Sequence, residues 1–231
     1  MIFTTVQSVH TRGLRLDWGW RYDLLVAGLD LALGGQLRAI RRRTLDLAQL
    51  QPGHTVLDVG CGTGTLALEA ARRLGTSGQV TGIDPAPRQI ARAQAKARRQ
   101  RRPAGVPVRL HLGAIEQLAF ADQSFDVVLS TWMMHHLPDD LKEAGLLEIA
   151  RVLKAGGRLV VVDAEHGHGY GRPARLGAGA LGIQALPRLL QAAGLSVLSS
   201  GQVRLVPLPG LPRAGFVVAQ RPPDRAAVVA A

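Results

Sequence analysis

The chain has 231 residues, enough for one well-buried domain with a small lid, and its 47% hydrophobic and 19% charged content is that of an ordinary globular protein. No apolar run reaches the roughly 18–20 residues that a membrane-spanning helix needs, because Asp23, Asp30 and Arg38 interrupt the best stretch. The net charge of +11 comes almost wholly from arginine, with lysine only at Lys96, Lys142 and Lys154, and reads as a sequence-wide bias rather than a nucleic-acid footprint.

The N-terminus lacks the charged-then-apolar pattern of a signal peptide, and a single cysteine, Cys61, forms no internal disulfide; both predict a cytoplasmic protein. After an extended start, apolar residues at helical spacing over 22–49 predict helix, divided in two at Gly34-Gly35. Residues 1–50 are read as a helical arm or lid, 51–220 as the main domain, and 221–231 as a flexible tail rich in proline and alanine. The arginine clusters at 41–43 and 98–102 predict solvated helix faces; a basic surface that attracts an anionic substrate or lipid headgroup is the other reading.

Pro52-Gly53 leads into a short buried strand at 56–59, then the turn Gly60-Cys61-Gly62-Thr63-Gly64 and a helix to Leu74. Glycines at this turn allow positive φ and close approach of backbone N–H groups, and a helix N-terminus behind them adds unpaired donors. That combination suits a nucleotide-like ligand bearing a carboxylate or phosphate. A second strand, 80–84, ends in Asp84; a helix covers 87–99, a breaker loop 103–107, a third strand 108–112 and a fourth 125–130. Pro138-Asp139-Asp140 opens a helix to about Leu153, and Gly156-Gly157 turns the chain into a strand at 159–163. A glycine-rich stretch at 167–182, a helix at 186–193 and strands around 196–206 and 216–219 follow, the last two pairing as an antiparallel hairpin at one end of the sheet.

Four segments, Val56 to Thr65, Gly82-Ile83-Asp84-Pro85, Ala121 to Val128 and Arg151 to Leu159, resemble in order and spacing the class I S-adenosylmethionine-dependent methyltransferases, in particular the group around the ubiquinone/menaquinone-biosynthesis methyltransferases. A nicotinamide-binding domain wants G-x-G-x-x-G, and here Gly64 comes one residue early. The resemblance implies an α/β fold, Rossmann-like and doubly wound: a mostly parallel seven-stranded sheet with a C-terminal antiparallel hairpin and helices on both faces. It implies S-adenosyl-L-methionine as cofactor, held by Asp58, Gly60, Cys61, Gly62, Asp84, Pro85, Ala114, Ile115 and Ser130. Asp58 would serve the amino group, directly or through water, and Asp84 both ribose hydroxyls. The family commonly places an acid directly after the glycine that follows the third strand. Here Gly113 is followed by Ala114, so Ile115 packs on adenine and Glu116 is either the substitute or a surface residue.

His135, His136 and Asp163 are the candidate catalytic residues; the histidines suit a general base, or else are packed residues ahead of the helix. Trp132, Met133 and Met134 offer an apolar wall to an acceptor, or belong to the core, and His10, Asp17, Trp18, Trp20 and Tyr22 read as a lid or a packed arm. His166-Gly167-His168 reads as a lid segment rather than a metal site, and no metal is expected. The acceptor predicted is small or lipid-like. No Asn/Asp-Pro-Pro-Tyr/Phe follows the fourth strand, and Cys61 in the cofactor turn excludes a cysteine nucleophile. The alternatives are an RNA-modifying methyltransferase using the basic surface and a non-catalytic cofactor-binding protein.

Overall fold

The computed structural model describes residues 9–99, 106–165, 181–203 and 213–223. Two helices come first, α1 (Trp20–Ala32) and α2 (Gln36–Ala48). Then come β1 (Thr55–Val59), α3 (Thr65–Leu74), β2 (Gln79–Asp84), α4 (Pro87–Arg99), β3 (Val108–Leu112), β4 (Phe125–Thr131), α5 (Asp139–Val152) and β5 (Leu153–Ala164). The chain closes with α6 (Leu186–Ala192), β6 (Ser196–Val203) and β7 (Ala214–Gln220). The strands lie in the order β3-β2-β1-β4-β5-β7-β6. The first five are parallel, as the alternation of elements predicts, and β7 runs antiparallel to β5 with β6 antiparallel to β7 at the edge, which is the doubly wound sheet that the resemblance implies.

Alternation along each central strand sends apolar side chains to both faces, so the sheet is buried on two sides. Leu57, Val59, Val128 and Val161 pack with Leu146 and Ile149 of α5 and Leu186 and Leu190 of α6. Val56, Leu129, Val160 and Val162 face the other way, onto Ile40 and Leu45 of α2 and Leu66 and Ala70 of α3.

The Gly34-Gly35 break is real: both residues have positive φ, 60° and 84°. Gly35 brings no side chain to cap α2, and Asp30 does so from α1, its Oδ1 accepting from the Arg38 N–H at 3.0 Å. The turn expected at Gly156-Gly157 is instead a bulge inside a longer β5. Phe125 pairs with Leu153, the register shifts, and pairing resumes at Val127 with Arg158. The reason is long-range: the Gly156 N–H donates to the Arg221 carbonyl and the Arg221 N–H to that of Gly157, both at 2.9 Å, so the segment after β7 extends the ladder.

Lys142 of α5 is 1% exposed and donates through Nζ to Asp139 Oδ1 and to the Leu181 carbonyl, each at 2.7 Å. It thereby fixes the chain where it returns to the core ahead of α6. Lys142→Ala leaves that carbonyl unpaired and opens a cavity, and is expected to cost about 2–3 kcal/mol, lowering Tm by roughly 5–10 °C. Thermal unfolding followed by circular dichroism checks it; an unchanged Tm would show that water replaces the ammonium without loss. His166, Gly167 and His168, most of the glycine-rich stretch and the tail from 224 onward lie outside the described residues. Among the described residues, no helix is long and apolar enough to cross a membrane, and no three side chains group as metal ligands.

Candidate functional site

Strand order reverses between β1 and β4, and a cleft of about 410 Å³ opens at the carboxyl ends of β1, β2 and β4. Its floor is the glycine turn. Gly60, Gly62 and Gly64 have φ of 73°, 53° and 75°, and the Gly60 and Cys61 N–H groups both donate to the Ile83 carbonyl at 2.9 Å. A Cβ on Gly60 would lie 2.3 Å from Met133 Cγ, so this position admits no side chain. Met133 reaches the turn because Trp132, directly after β4, has a left-handed backbone (φ 55°), held by its N–H donating to the Val162 carbonyl at 2.9 Å. A non-glycine residue in that conformation is strained by about 1–2 kcal/mol, and here the strain lies in the cleft wall.

Two carboxylates face this floor. Asp84 Oδ2 accepts from the Gly62 N–H and Oδ1 from the Ala86 N–H, each at 2.9 Å, so one side chain both shapes the glycine turn and opens α4. Burial pushes its carboxyl up, partly offset by those two N–H groups, and Asp17 adds to the rise. Asp58 is 1% exposed, and neither of its oxygens has a partner at hydrogen-bonding geometry among the described residues. Burial, with the charge of Asp84 behind it, pushes Asp58 up to about 7 against a weak opposing pull from the Ala67 N–H. A buried carboxylate without a donor is costly, and this one lines the cleft.

Pro85, Ala114 and Ile115 also line the cleft. So does Glu116, whose Oε2 is buried without a partner among the described residues. Cys61 lines the cleft, but it packs in a small cluster with Ile90, Ala93 and Leu110, and burial pushes its thiol well above the ordinary value. Ser130 is fully buried in β4 and is not part of the cleft wall.

On the opposite wall, the Asp163 carboxylate holds His135. His135 Nδ1 lies 2.5 Å from Asp163 Oδ1, and the His135 N–H donates to Oδ2 at 3.2 Å. Burial works to raise the Asp163 carboxyl, yet the hydrogen bond and charge of His135 and the Ala164 N–H hold it below the ordinary range. His135 lines the cleft and Asp163 does not. His136 lines it too, its ring 3.9 Å from that of His135; burial, then the neighbouring His135, lowers it to about 4, so it is neutral at neutral pH. Trp132 and Met133 are cleft wall, whereas Met134 is core.

The N-terminal segment crosses the cleft as a strap. The Leu14 N–H donates to the His136 carbonyl at 3.0 Å, Arg12 pairs with Asp140, and Asp17 accepts from the Arg88 N–H at 2.7 Å. Of the five residues read as a lid, Trp18 and Tyr22 line the cleft, while His10, Asp17 and Trp20 do not. The strap continues into α1, which is tied to the glycine turn by a cluster invisible in the sequence. Asp23 accepts from the Thr63 hydroxyl and from Arg92 Nε, each at 2.6 Å, and Lys96 Nζ donates to Asp23 at 3.2 Å and to Thr65 at 2.7 Å. Burial opposes ionisation of Asp23, but Thr63, Arg92 and Lys96 together hold its carboxyl below the ordinary range. Gln89 was also missed. It is 2% exposed, lines the cleft, and its carbonyl oxygen has no partner among the described residues. The available signal was its place in the first turn of the helix that follows Asp84-Pro85.

Residues 56–157 match a family described as methyltransferase domain. A demethylmenaquinone methyltransferase of Desulfitobacterium hafniense is 35% identical over 147 residues, 62% of this chain and 54% of that protein. A nocamycin O-methyltransferase of Saccharothrix syringae is 40% identical over 135 residues, 58% and 46% of the two chains. The chain thus spans about half the length of the curated relatives it matches. Among solved structures, a SAM-dependent methyltransferase of Methanosarcina mazei superposes with a TM-score of 0.63 at 25% identity, covering 76% of this chain and 95% of that one. With the sheet order and the cleft at its switch point, these matches agree with one another: residues 56–157 are similar to a methyltransferase domain, and they lie in a seven-stranded fold like that of the M. mazei SAM-dependent methyltransferase.

Proposed function

We propose that this protein transfers a methyl group from S-adenosylmethionine to a small, lipid-like acceptor in the cytoplasm. The observation that carries the reading is Asp58, a buried carboxylate without a protein donor, facing a glycine turn beside Asp84. The cofactor's ammonium fits the one and its ribose hydroxyls the other, and the orphaned oxygens of Glu116 and Gln89 fit the adenine amino group and a further donor. When bound, the cofactor supplies a methyl group on a sulfonium, a carbon already activated for in-line displacement.

The chain's own contribution is alignment, exclusion of water and handling of one proton. The strap and α1 close the cleft over the glycine turn. Leu25, Val26, Leu29, Leu33 and Leu37 make the α1–α2 side of the cleft apolar, which suits a lipid-like acceptor, and the D. hafniense relative is named for such a molecule. With Nδ1 committed to Asp163, His135 Nε2 is the nitrogen that takes a proton from an acidic acceptor. His136, lowered to about 4, is a weak base.

Calorimetric titration with S-adenosylmethionine and S-adenosylhomocysteine tests the cofactor half. Saturable binding of both is expected, and Asp84→Ala should weaken it about 100-fold, the worth of two charge-assisted hydrogen bonds. Absence of binding heat in the parent protein would sink the reading. Methyl transfer to a panel of quinol, phenol and isoprenoid acceptors tests the other half.

A further inference from the structure

One side of α1 lines the cleft; the other meets no partner among the described residues. Trp20, Leu24 and Leu31 are 55%, 63% and 83% exposed, and with Ala27 they fall at i, i+4, i+7 and i+11, a single stripe along the helix. None of the four lines the cleft. Leu25 is half exposed and also lines the cleft, so the stripe runs into its mouth.

The charges around this stripe are sorted. Every acid of the strap and α1 turns inward: Asp17 to the Arg88 N–H, Asp23 to Thr63, Arg92 and Lys96, and Asp30 to the Arg38 N–H. The exposed charges on these elements and on α2, which packs against α1, include Arg15, Arg21, Arg42 and Arg43, and the exposed acid of α2, Asp46, is paired with Arg73. Arg21 lays its guanidinium over the Trp20 ring, 5.8 Å from the centroid, which keeps the charge beside the apolar stripe.

An apolar stripe ending in tryptophan, flanked by arginine and cleared of outward acids, is matched to a lipid surface carrying negative headgroups. A two-fold pair of this chain would instead bring such arginines toward their own copies. We infer that α1 lies in the plane of an anionic bilayer, with Trp20, Leu24 and Leu31 at the acyl boundary and Arg21 among the headgroups. At 13 residues the helix rests on the bilayer and does not cross it. The acceptor then passes from the bilayer past Leu25 into the cleft; this last step rests on the lipid-like acceptor proposed above, while the docking does not.

The test is co-sedimentation of the full chain with phosphatidylcholine vesicles, with and without phosphatidylglycerol. The protein is expected to partition onto the anionic vesicles and to leave them as salt rises. The double substitution Leu24→Ser/Leu31→Ser should lower the partition coefficient about tenfold or more, and Arg21→Glu should lower it only on anionic vesicles. Because these side chains are exposed, the variants should keep the parent's Tm and its S-adenosylhomocysteine binding. The inference is overturned if the parent ignores anionic vesicles, or if the double variant partitions like the parent. It is also overturned if the parent is a dimer that the double variant dissociates while vesicles capture neither, since the face is then an interface between copies. Loss of cofactor binding in the parent would sink the proposed function and leave vesicle partitioning to be judged by itself.

Discussion

An Asp58→Asn variant is expected to unfold at a higher temperature than the parent at pH 8 without ligand, and to bind S-adenosylhomocysteine about 100-fold more weakly. The two effects have one cause. Folding carries the Asp58 carboxyl into a buried site where only the Ala67 N–H pulls weakly against the rise, from 3.8 to about 7. A carboxyl raised on folding contributes stability that is full below about pH 4 and is lost as pH climbs through about 7. At pH 8 the parent therefore holds an uncompensated buried charge, and the amide removes a penalty on the order of 3 kcal/mol. At pH 5 the folded parent is mostly protonated while its unfolded chain is still ionised, so the advantage should shrink to less than half, vanishing only below about pH 4. Melting both proteins at the two pH values measures the difference directly; an equal gap at both would mean that Asp58 finds a partner in solution. The ligand reverses the sign, because an ammonium at this position stabilises the charged form. Titration of the parent near pH 6 in buffers of differing ionisation enthalpy should then reveal proton release on binding, which the amide variant lacks.

The same carboxylate shows what a sequence does and does not disclose. The strand, glycine turn and helix around Asp58 are legible because each rests on neighbours: an apolar run, glycines that permit positive φ, a helix that follows at once. The parallel sheet follows from the alternation of elements and the closing antiparallel pair from two strands without a helix between them, while the reversal of strand order came only with the resemblance. What escaped depends on side chains brought together across many residues. Asp17 caps a helix that begins at Pro87, and Asp23 gathers Thr63, Arg92 and Lys96, with nothing nearby to announce either. The bulge at Gly156-Gly157 needs Arg221 to exist, so the local pattern reads as a plain turn. Ala114 departs from the pattern the resemblance implies, and only the folded chain shows that Glu116, two residues on, lines the same cleft with Oε2 buried and unpaired among the described residues.

His135→Ala is expected to lower kcat for an acidic acceptor by about 10²–10⁴, the usual worth of a general base, with cofactor affinity little changed. Asp163→Asn should cost somewhat less, since the buried residue acts only through the ring it holds. Its carboxylate fixes His135 at Nδ1 and by the backbone N–H; an amide can present its NH₂ to Nδ1 and favour the wrong tautomer. A split between kcat and KM separates this positioning role from simple loss of fold. Asp163, held below the ordinary range, stays ionised across the working pH and keeps accepting from the His135 N–H. Replacing it should lower kcat while leaving the acceptor's KM and the protein's Tm close to the parent's. A double variant no worse than His135→Ala alone would show the two residues acting as one unit. Full activity in His135→Ala would be equally informative: the acceptor would then arrive already ionised, or attack without losing a proton. Catalysis would in that case reside wholly in the alignment imposed by the glycine turn, the strap and the apolar wall.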